Sequence, residues 1–258
     1  MFIDSHCHID FPELAQDIDR LRSAMRDNQV SHALCVSVNL PQWPGVIALA
    51  ERFPEIYASV GVHPDYEDTE EPTVERLVEL AAHPKVIAIG ETGLDYYRLE
   101  GDLEWQRERF RVHIRAARAT GLPLIIHTRS ASEDTLRIME EEGAAEVGGV
   151  MHCFTETQQV ADAAIAMNFL ISFSGIVTFK NAVQLKEVAR TIPLESMLIE
   201  TDSPYLAPVP FRGKTNHPAL VRHVAEHIAE LRGLPLATIA EATTANFARL
   251  FKLEGRLT

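Results

Sequence analysis

The sequence has little cysteine, with only Cys7, Cys35 and Cys153 among 258 residues. An odd number of cysteines without a Cys-x-x-Cys pair excludes a disulfide framework and fits a reducing compartment. There is no basic and apolar leader, and the most apolar stretch, residues 161–177, is interrupted by polar residues such as Asp162. We therefore expect no signal peptide, no membrane span and a cytoplasmic location.

Positive charge is also scarce, because 24 Lys and Arg residues face 37 Asp and Glu residues, which gives a net charge of −13. This balance argues against broad electrostatic adhesion to DNA, RNA or an anionic membrane. It leaves open a nucleic-acid substrate that is held locally by metal ions and a few arginines. Hydrophobic residues make up 46% and charged residues 24%, as in an ordinary globular protein.

No Gly-x-Gly-x-x-Gly motif follows any apolar strand, which removes the usual dinucleotide signal of a doubly wound sheet. Short β-branched runs alternate instead with segments of helical periodicity, such as residues 102–120 and 236–253. The predicted strands are residues 1–5, 32–38, 56–62, 86–91, 122–127, 149–152, 169–172 and 197–202. Eight strands in about 250 residues is the size of a (β/α)8 TIM-type barrel. We predict this α/β fold as a single domain over residues 1–258.

Metal-ligating residue types stand at the ends of the predicted strands. His6 and His8, at i and i+2 of an extended segment, point to the same face, and paired imidazoles there suggest half of a metal site. The ends of four other strands carry Glu91, His127, His152 and Asp202. In a barrel these strand ends meet at the rim where active sites are built.

The segments around these residues resemble the TatD family of metal-dependent hydrolases, within the wider amidohydrolase-like barrels. The matching segments are residues 4–8, 61–64, 90–96, 127–129, 152–154, 200–204, 210–216 and 246–247. The likeness extends over essentially the whole chain. Related amidohydrolases often have a carboxylated lysine after the fourth strand, and Glu91 at this position favours the TatD pattern.

The resemblance implies a centre of two divalent metal ions per subunit. One ion would be held by His6, His8 and Asp202, the other by His127 and His152, with Glu91 bridging both. A bridging carboxylate suits two cations about 3.5–4 Å apart. The mixture of imidazole and carboxylate suits Zn²⁺ or Mn²⁺ and leaves Mg²⁺ possible, so the sequence does not identify the metal.

Asp202 and Glu91 are the candidate catalytic residues, and Asp202 is the better proton acceptor because a ligand carboxylate keeps a second oxygen. Glu200 shares the strand face of Asp202 and either supports the site or forms a simple salt bridge. The candidate substrate-binding residues are His63, Arg129, Arg212 and Lys214. The three basic residues among them would supply the local positive charge that a phosphate needs.

The resemblance implies a deoxyribonuclease that cuts phosphodiester bonds by a two-metal mechanism. A rim without a long basic groove favours single-stranded nucleic acid or DNA ends as the substrate, and no membrane or obligate protein partner is evident. One alternative is an ester or amide hydrolase, such as a D-aminoacyl-tRNA deacylase, that uses the same metal centre. The other is a metal-binding protein that acts through a partner, against which the intact ligand set argues.

Overall fold

The computed structural model describes residues 1–97 and 99–257. Within them, eight strands form one sheet in the order of the chain. The strands are β1 (Phe2–Cys7), β2 (Val30–Cys35), β3 (Ile56–Val60), β4 (Val86–Asp95), β5 (Leu124–Arg129), β6 (Gly149–Met151), β7 (Phe169–Phe173) and β8 (Met197–Ile199). Each predicted strand is therefore present, with ends that differ by a few residues. The strand order and the alternation with helices confirm the predicted (β/α)8 fold class.

Helices separate consecutive strands and follow the last one. They are α1 (Pro12–Ala15), α2 (Ile18–Asp27), α3 (Trp43–Arg52), α4 (Val74–Ala81), α5 (Glu104–Thr120), α6 (Ser132–Glu141), α7 (Gln158–Ala166), α8 (Val183–Thr191), α9 (Val221–Arg232) and α10 (Leu236–Leu250). The two segments predicted from helical periodicity are thus α5 and α10. Across the described ranges, none of these helices combines the length and apolarity that crossing a membrane requires.

The chain forms two compact units. The first contains Met1–Cys35, Cys153–Asp162 and the residues from Ile171 onward, and the second contains Val36–His152 and Ala163–Leu170. In the first unit β1 pairs in parallel with β2, β7 with β8, and α10 packs on β1 and β8. In the second unit β4 pairs in parallel with β3 and β5, and α5 packs on β4. The strands are buried almost throughout, as parallel strands require.

Strand β4 runs four residues beyond its predicted end at residue 91. Gly93 lies opposite His127 in the β4–β5 register and has a φ of +131°. A Cβ atom at this position would lie 1.9 Å from the His127 carbonyl oxygen, so only glycine fits. The extension keeps Asp95 in the strand, and the period of two puts it on the same face as Glu91.

Candidate metal centre

Three predicted ligands of the first unit form what we call the His6 group, which consists of His6, His8 and Asp202. The Nε2 atoms of the two histidines lie 3.2 Å apart. The Oδ1 atom of Asp202 lies 3.8 Å from His6 Nε2 and 3.5 Å from His8 Nε2. Both histidines are buried, and the Asp202 side chain is mostly buried. Two imidazole nitrogens and a carboxylate oxygen therefore converge on one point, as ligands of a single cation do.

Backbone hydrogen bonds between the ends of β1 and β8 bring this group together. The Asp202 N–H donates to the His6 carbonyl oxygen over 2.9 Å, and the His8 N–H donates to the Ser203 carbonyl oxygen over 2.8 Å. The fully buried Asp4 carboxylate accepts the Thr201 N–H over 2.9 Å and also accepts the Thr201 hydroxyl. Burial raises the pKa of Asp4 well above its ordinary value, although these hydrogen bonds oppose the rise. The sequence alone assigned no role to Asp4.

The second unit contains the Glu91 group, in which one carboxylate oxygen faces three imidazoles. The Oε1 atom of Glu91 lies 2.8 Å from His152 Nε2, 3.3 Å from His127 Nδ1 and 3.4 Å from His63 Nε2. Glu91 and His152 are buried, and the other two histidines are half-buried. Donor atoms of His63, Glu91 and His127 lie close enough together to bind a metal ion. The sequence predicted His63 as a substrate contact, and the structure places it beside the candidate ligands.

A second carboxylate orients His127. The Nε2 atom of His127 donates to Asp95 Oδ2 over 3.0 Å, so in the neutral ring Nδ1 keeps its lone pair toward Glu91. Burial lowers the pKa of His127, but the hydrogen bonds that the protonated ring donates to Asp95 and Glu91 outweigh this effect, and the net pKa is raised. Burial alone would raise the pKa of Asp95. The hydrogen bonds from His127 and from the Tyr97 backbone outweigh this effect, and the net pKa of Asp95 is lowered. Asp95 thus contacts a candidate ligand, a contact that the sequence reasoning did not predict.

Buried polar side chains of α5 form hydrogen bonds with the backbone at the carboxyl ends of β3 and β4. The amide of Gln106 accepts the Asp95 N–H over 2.9 Å and donates to the Pro64 carbonyl oxygen over 3.2 Å. The guanidinium of Arg109 donates to the His63 carbonyl oxygen over 3.1 Å. Helix α5 therefore fixes the backbone at His63, a member of the Glu91 group, through the carbonyl oxygens of His63 and Pro64.

His113 completes this contact between α5 and the end of β3. Its Nδ1–H donates to the Arg109 carbonyl oxygen over 2.8 Å, and its Nε2 accepts the Val62 N–H over 3.0 Å. Burial lowers the pKa of His113 to about 4, so that the ring is neutral at pH 7. A neutral ring is also what the geometry requires, because Nε2 must keep a lone pair to accept a hydrogen bond.

The basic residues predicted to contact substrate stack on aromatic rings. The guanidinium carbon of Arg129 lies 3.9 Å from the Tyr97 ring centroid, and that of Arg212 lies 4.0 Å from the Phe179 ring centroid. Over residues 1–97 and 99–257, neither arginine forms an ion pair with a carboxylate, whereas all five arginines of α5 do. Lys214 is exposed on the same loop as Arg212, with Nζ 5.8 Å from the Phe211 centroid.

Glu200 fixes the backbone of Cys153 within the first unit. Its Oε1 atom accepts the N–H of Cys153, the residue after His152, over 2.7 Å. The side chain of Glu200 is fully buried.

Comparison with known protein families gives one match over nearly the whole chain, to a model described as TatD related DNase, over residues 3–252. The chain is 46% identical over 255 residues to the "uncharacterized metal-dependent hydrolase YcfH" of Escherichia coli K12, covering 98% of this chain and 96% of YcfH. It is 34% identical over 245 residues to the "3'-5' ssDNA/RNA exonuclease TatD" of Escherichia fergusonii, covering 93% of this chain and 94% of that protein.

Among solved structures, the chain is similar to the crystal structure of YjjV, a TatD homolog from Escherichia coli K12. The two share 30% sequence identity with a TM-score of 0.90, and the match covers 97% of this chain and 98% of YjjV. The family match and the fold therefore agree with the resemblance seen in the sequence.

Proposed function

Because the chain belongs to the TatD family of metal-dependent hydrolases, we propose that it is a deoxyribonuclease that cleaves phosphodiester bonds with two divalent ions. A relative 34% identical in sequence is named a single-stranded DNA and RNA exonuclease, which supports a nucleic-acid substrate. The observation that carries the proposal is the pair of arginines held on aromatic rings rather than on carboxylates. On a chain of net charge −13, such arginines keep their N–H donors available for phosphate oxygens.

The ligand assignment follows the chemistry of the donor atoms. We assign His6, His8 and Asp202 to one ion, His127 and His152 to the other, and Glu91 to both. Two divalent ions bound by these residues would activate water for attack and stabilise charge on the phosphoryl and leaving oxygens. The Asp95 carboxylate keeps the His127 ring oriented for its role as a ligand.

The chain's own residues divide the remaining tasks. Asp202 accepts the proton of the attacking water through a carboxylate oxygen that is not engaged as a ligand. Arg129 and Arg212 bind the phosphate oxygens, and Lys214 adds a further positive charge on the same loop as Arg212. His63, half-buried beside Glu91, contacts the substrate near the reacting phosphate.

The substrate is tested with metal-depleted protein that is reloaded separately with Mn²⁺, Mg²⁺ or Zn²⁺. Each form is assayed against single-stranded DNA, single-stranded RNA and a D-aminoacyl ester. We expect at least one metal to restore cleavage of single-stranded DNA. Activity restored only toward the D-aminoacyl ester would replace this proposal with the deacylase alternative.

Asp202→Asn separates proton transfer from substrate binding. The asparagine keeps the shape and one coordinating oxygen but loses the basicity, so at saturating metal kcat should fall by ~10²–10⁴-fold with a much smaller change in KM. The matched control is Asp19→Asn, at an exposed carboxylate that pairs with Arg22 on α2. If Asp202→Asn keeps near-normal kcat, another group accepts the proton, and Glu200 is the next residue to test.

A further inference from the structure

Two exposed tyrosines stand close in sequence to the candidate metal ligands. Among the described residues, only a few large hydrophobic side chains are strongly exposed, and the two aromatic ones are Tyr97 and Tyr205. Tyr205 follows Asp202 by three residues and is 56% exposed. A single exposed aromatic side chain is common on a protein surface, so the exposure of Tyr205 gains meaning only from its position beside a candidate ligand.

The backbone of Tyr205 is fixed on both sides. Its N–H donates to the Asp202 carbonyl oxygen over 3.0 Å, and its carbonyl oxygen accepts the Asn216 side-chain amide over 2.6 Å. Asn216 is fully buried and also donates to the Thr201 carbonyl oxygen over 2.9 Å. The exposed ring is therefore carried by a rigid turn that starts at a candidate ligand, so stacking on it costs little backbone entropy.

Aromatic contacts join the Tyr205 ring to a ligand of the His6 group. The Tyr205 ring meets Phe11 edge to face, with centroids 6.4 Å apart and an interplanar angle of 81°. Phe11 in turn stacks on His8, with centroids 5.0 Å apart and an angle of 21°. Tyr205 thus belongs to a packed aromatic row that ends at the imidazole of His8, a candidate metal ligand.

Basic residues share the loop that Asn216 closes. The Asn216 N–H donates to the Pro204 carbonyl oxygen over 3.0 Å, so residues 204–216 form one loop tied at its base. Arg212 and Lys214 lie exposed on this loop. A loop that offers an aromatic face together with positive charge matches the two chemical components of a single nucleic-acid strand, its bases and its phosphates.

We propose that Tyr205 is a substrate-positioning residue that stacks on a nucleobase of a single strand next to the phosphate to be cleaved. The proposal rests on the proposed nuclease function and concerns its substrate, because the face of a base is open to a protein ring in a single strand but is covered by neighbouring pairs inside a duplex. Stacking on an aromatic ring tolerates any base, so Tyr205 would favour single strands without selecting a sequence.

The test measures binding without requiring turnover. Two fluorescein-labelled strands of five residues with phosphorothioate linkages are compared, pentathymidylate and the same backbone with abasic residues, at one metal and one salt concentration. The wild-type protein should bind the thymidylate strand about 10-fold more tightly than the abasic strand. Tyr205→Leu should remove this difference, and Tyr205→Phe, which keeps the ring, should restore it.

The matched control is Tyr57→Leu, at a half-buried tyrosine in the amino-terminal half of β3. It should bind both strands as the wild-type protein does. Equal weakening of both strands by Tyr205→Leu would mean a purely structural role and would overturn the proposal, as would a wild-type protein that does not distinguish the strands. If base-dependent binding is found without cleavage of ordinary single-stranded DNA, the stacking role stands and the nuclease function fails.

Discussion

The His6 group and the Glu91 group use the same residue types in opposite arrangements. In the His6 group two imidazole nitrogens face each other at 3.2 Å and the carboxylate stands to one side. In the Glu91 group a buried carboxylate stands at the centre and receives imidazoles at 2.8–3.4 Å. Two facing nitrogens need one proton or cation between them, whereas the central carboxylate supplies a negative charge that acts on every imidazole around it.

This difference predicts unequal dependence on each ligand. Removing one histidine from the His6 group takes away one donor and leaves the Glu91 group intact. Removing the charge of Glu91 affects every imidazole around it, and, in the proposed assignment, both ions. The carboxylate at the centre of a cluster is therefore the more sensitive position.

The largest effect is expected for Glu91→Gln. The amide keeps the volume but loses the negative charge that offsets the proposed cations, so metal content should fall from about two ions to less than one per chain. Turnover should fall at least ~10²–10⁴-fold. His8→Ala, as the comparison, should keep about one ion. Elemental analysis after dialysis measures the metal content of both variants. Two ions per chain in Glu91→Gln would show that Glu91 does not bridge the ions.

The sequence predicted the His6 group more completely than the Glu91 group. His6 and His8 are two residues apart, and the strand period alone puts them on one face. The neighbours of Glu91 lie tens of residues away on other strands, so only the strand order brings them together. His63 was accordingly predicted as a substrate contact, and its 3.4 Å approach to Glu91 could not be read from the sequence.

Asp95 was missed for a different reason. The sequence analysis ended β4 at residue 91, and Gly93 beyond this point is a residue type that is uncommon within strands. The strand continues because Gly93 allows β5 to come closer than any other residue would. A longer strand would have put Asp95 on the face of Glu91, so its period-two spacing was the signal available.

Asp95→Asn tests whether the orientation of the His127 ring contributes to metal affinity. The asparagine is a weaker acceptor for His127 Nε2, and loss of such an orienting group typically costs 10–100-fold in metal affinity. The matched control is Asp134→Asn, whose carboxylate accepts the nearby Tyr96 hydroxyl over 2.7 Å. Competition with a chromophoric chelator gives the affinities, and equal values for Asp95→Asn and the wild-type protein would remove this role from Asp95.

The α5 residues illustrate what a helical pattern does not reveal. The sequence analysis predicted a helix over residues 102–120, and His113 within it is fully buried. The pattern could not show that Gln106, Arg109 and His113 hold backbone groups of β3 and β4, because hydrogen bonds to backbone leave no mark in the partner's sequence. The helix layer thus fixes the Glu91 group through contacts that sequence reasoning cannot recover.

The smallest effect on the site is expected for His113→Gln. This substitution changes the pH dependence of folding stability rather than turnover. His113 has a pKa of about 4 in the folded protein, against about 6.5 when exposed in the unfolded chain. As the pH falls through this window the unfolded state takes up a proton that the folded state does not, so folding stability is lost. Between pH 7 and pH 5 this contribution is about 2 kcal/mol.

Glutamine can accept the Val62 N–H through its oxygen and donate to the Arg109 carbonyl through its nitrogen, but it does not titrate. His113→Gln should therefore be less sensitive than the wild-type protein to a fall in pH from 7 to 5, while metal content at pH 7 stays unchanged. Urea unfolding at several pH values measures the difference, and the other titrating groups, including the buried Asp4, cancel in the comparison. The same pH dependence in both proteins would mean that His113 is not held neutral by burial, and the hydrogen bond from Val62 would then need another explanation.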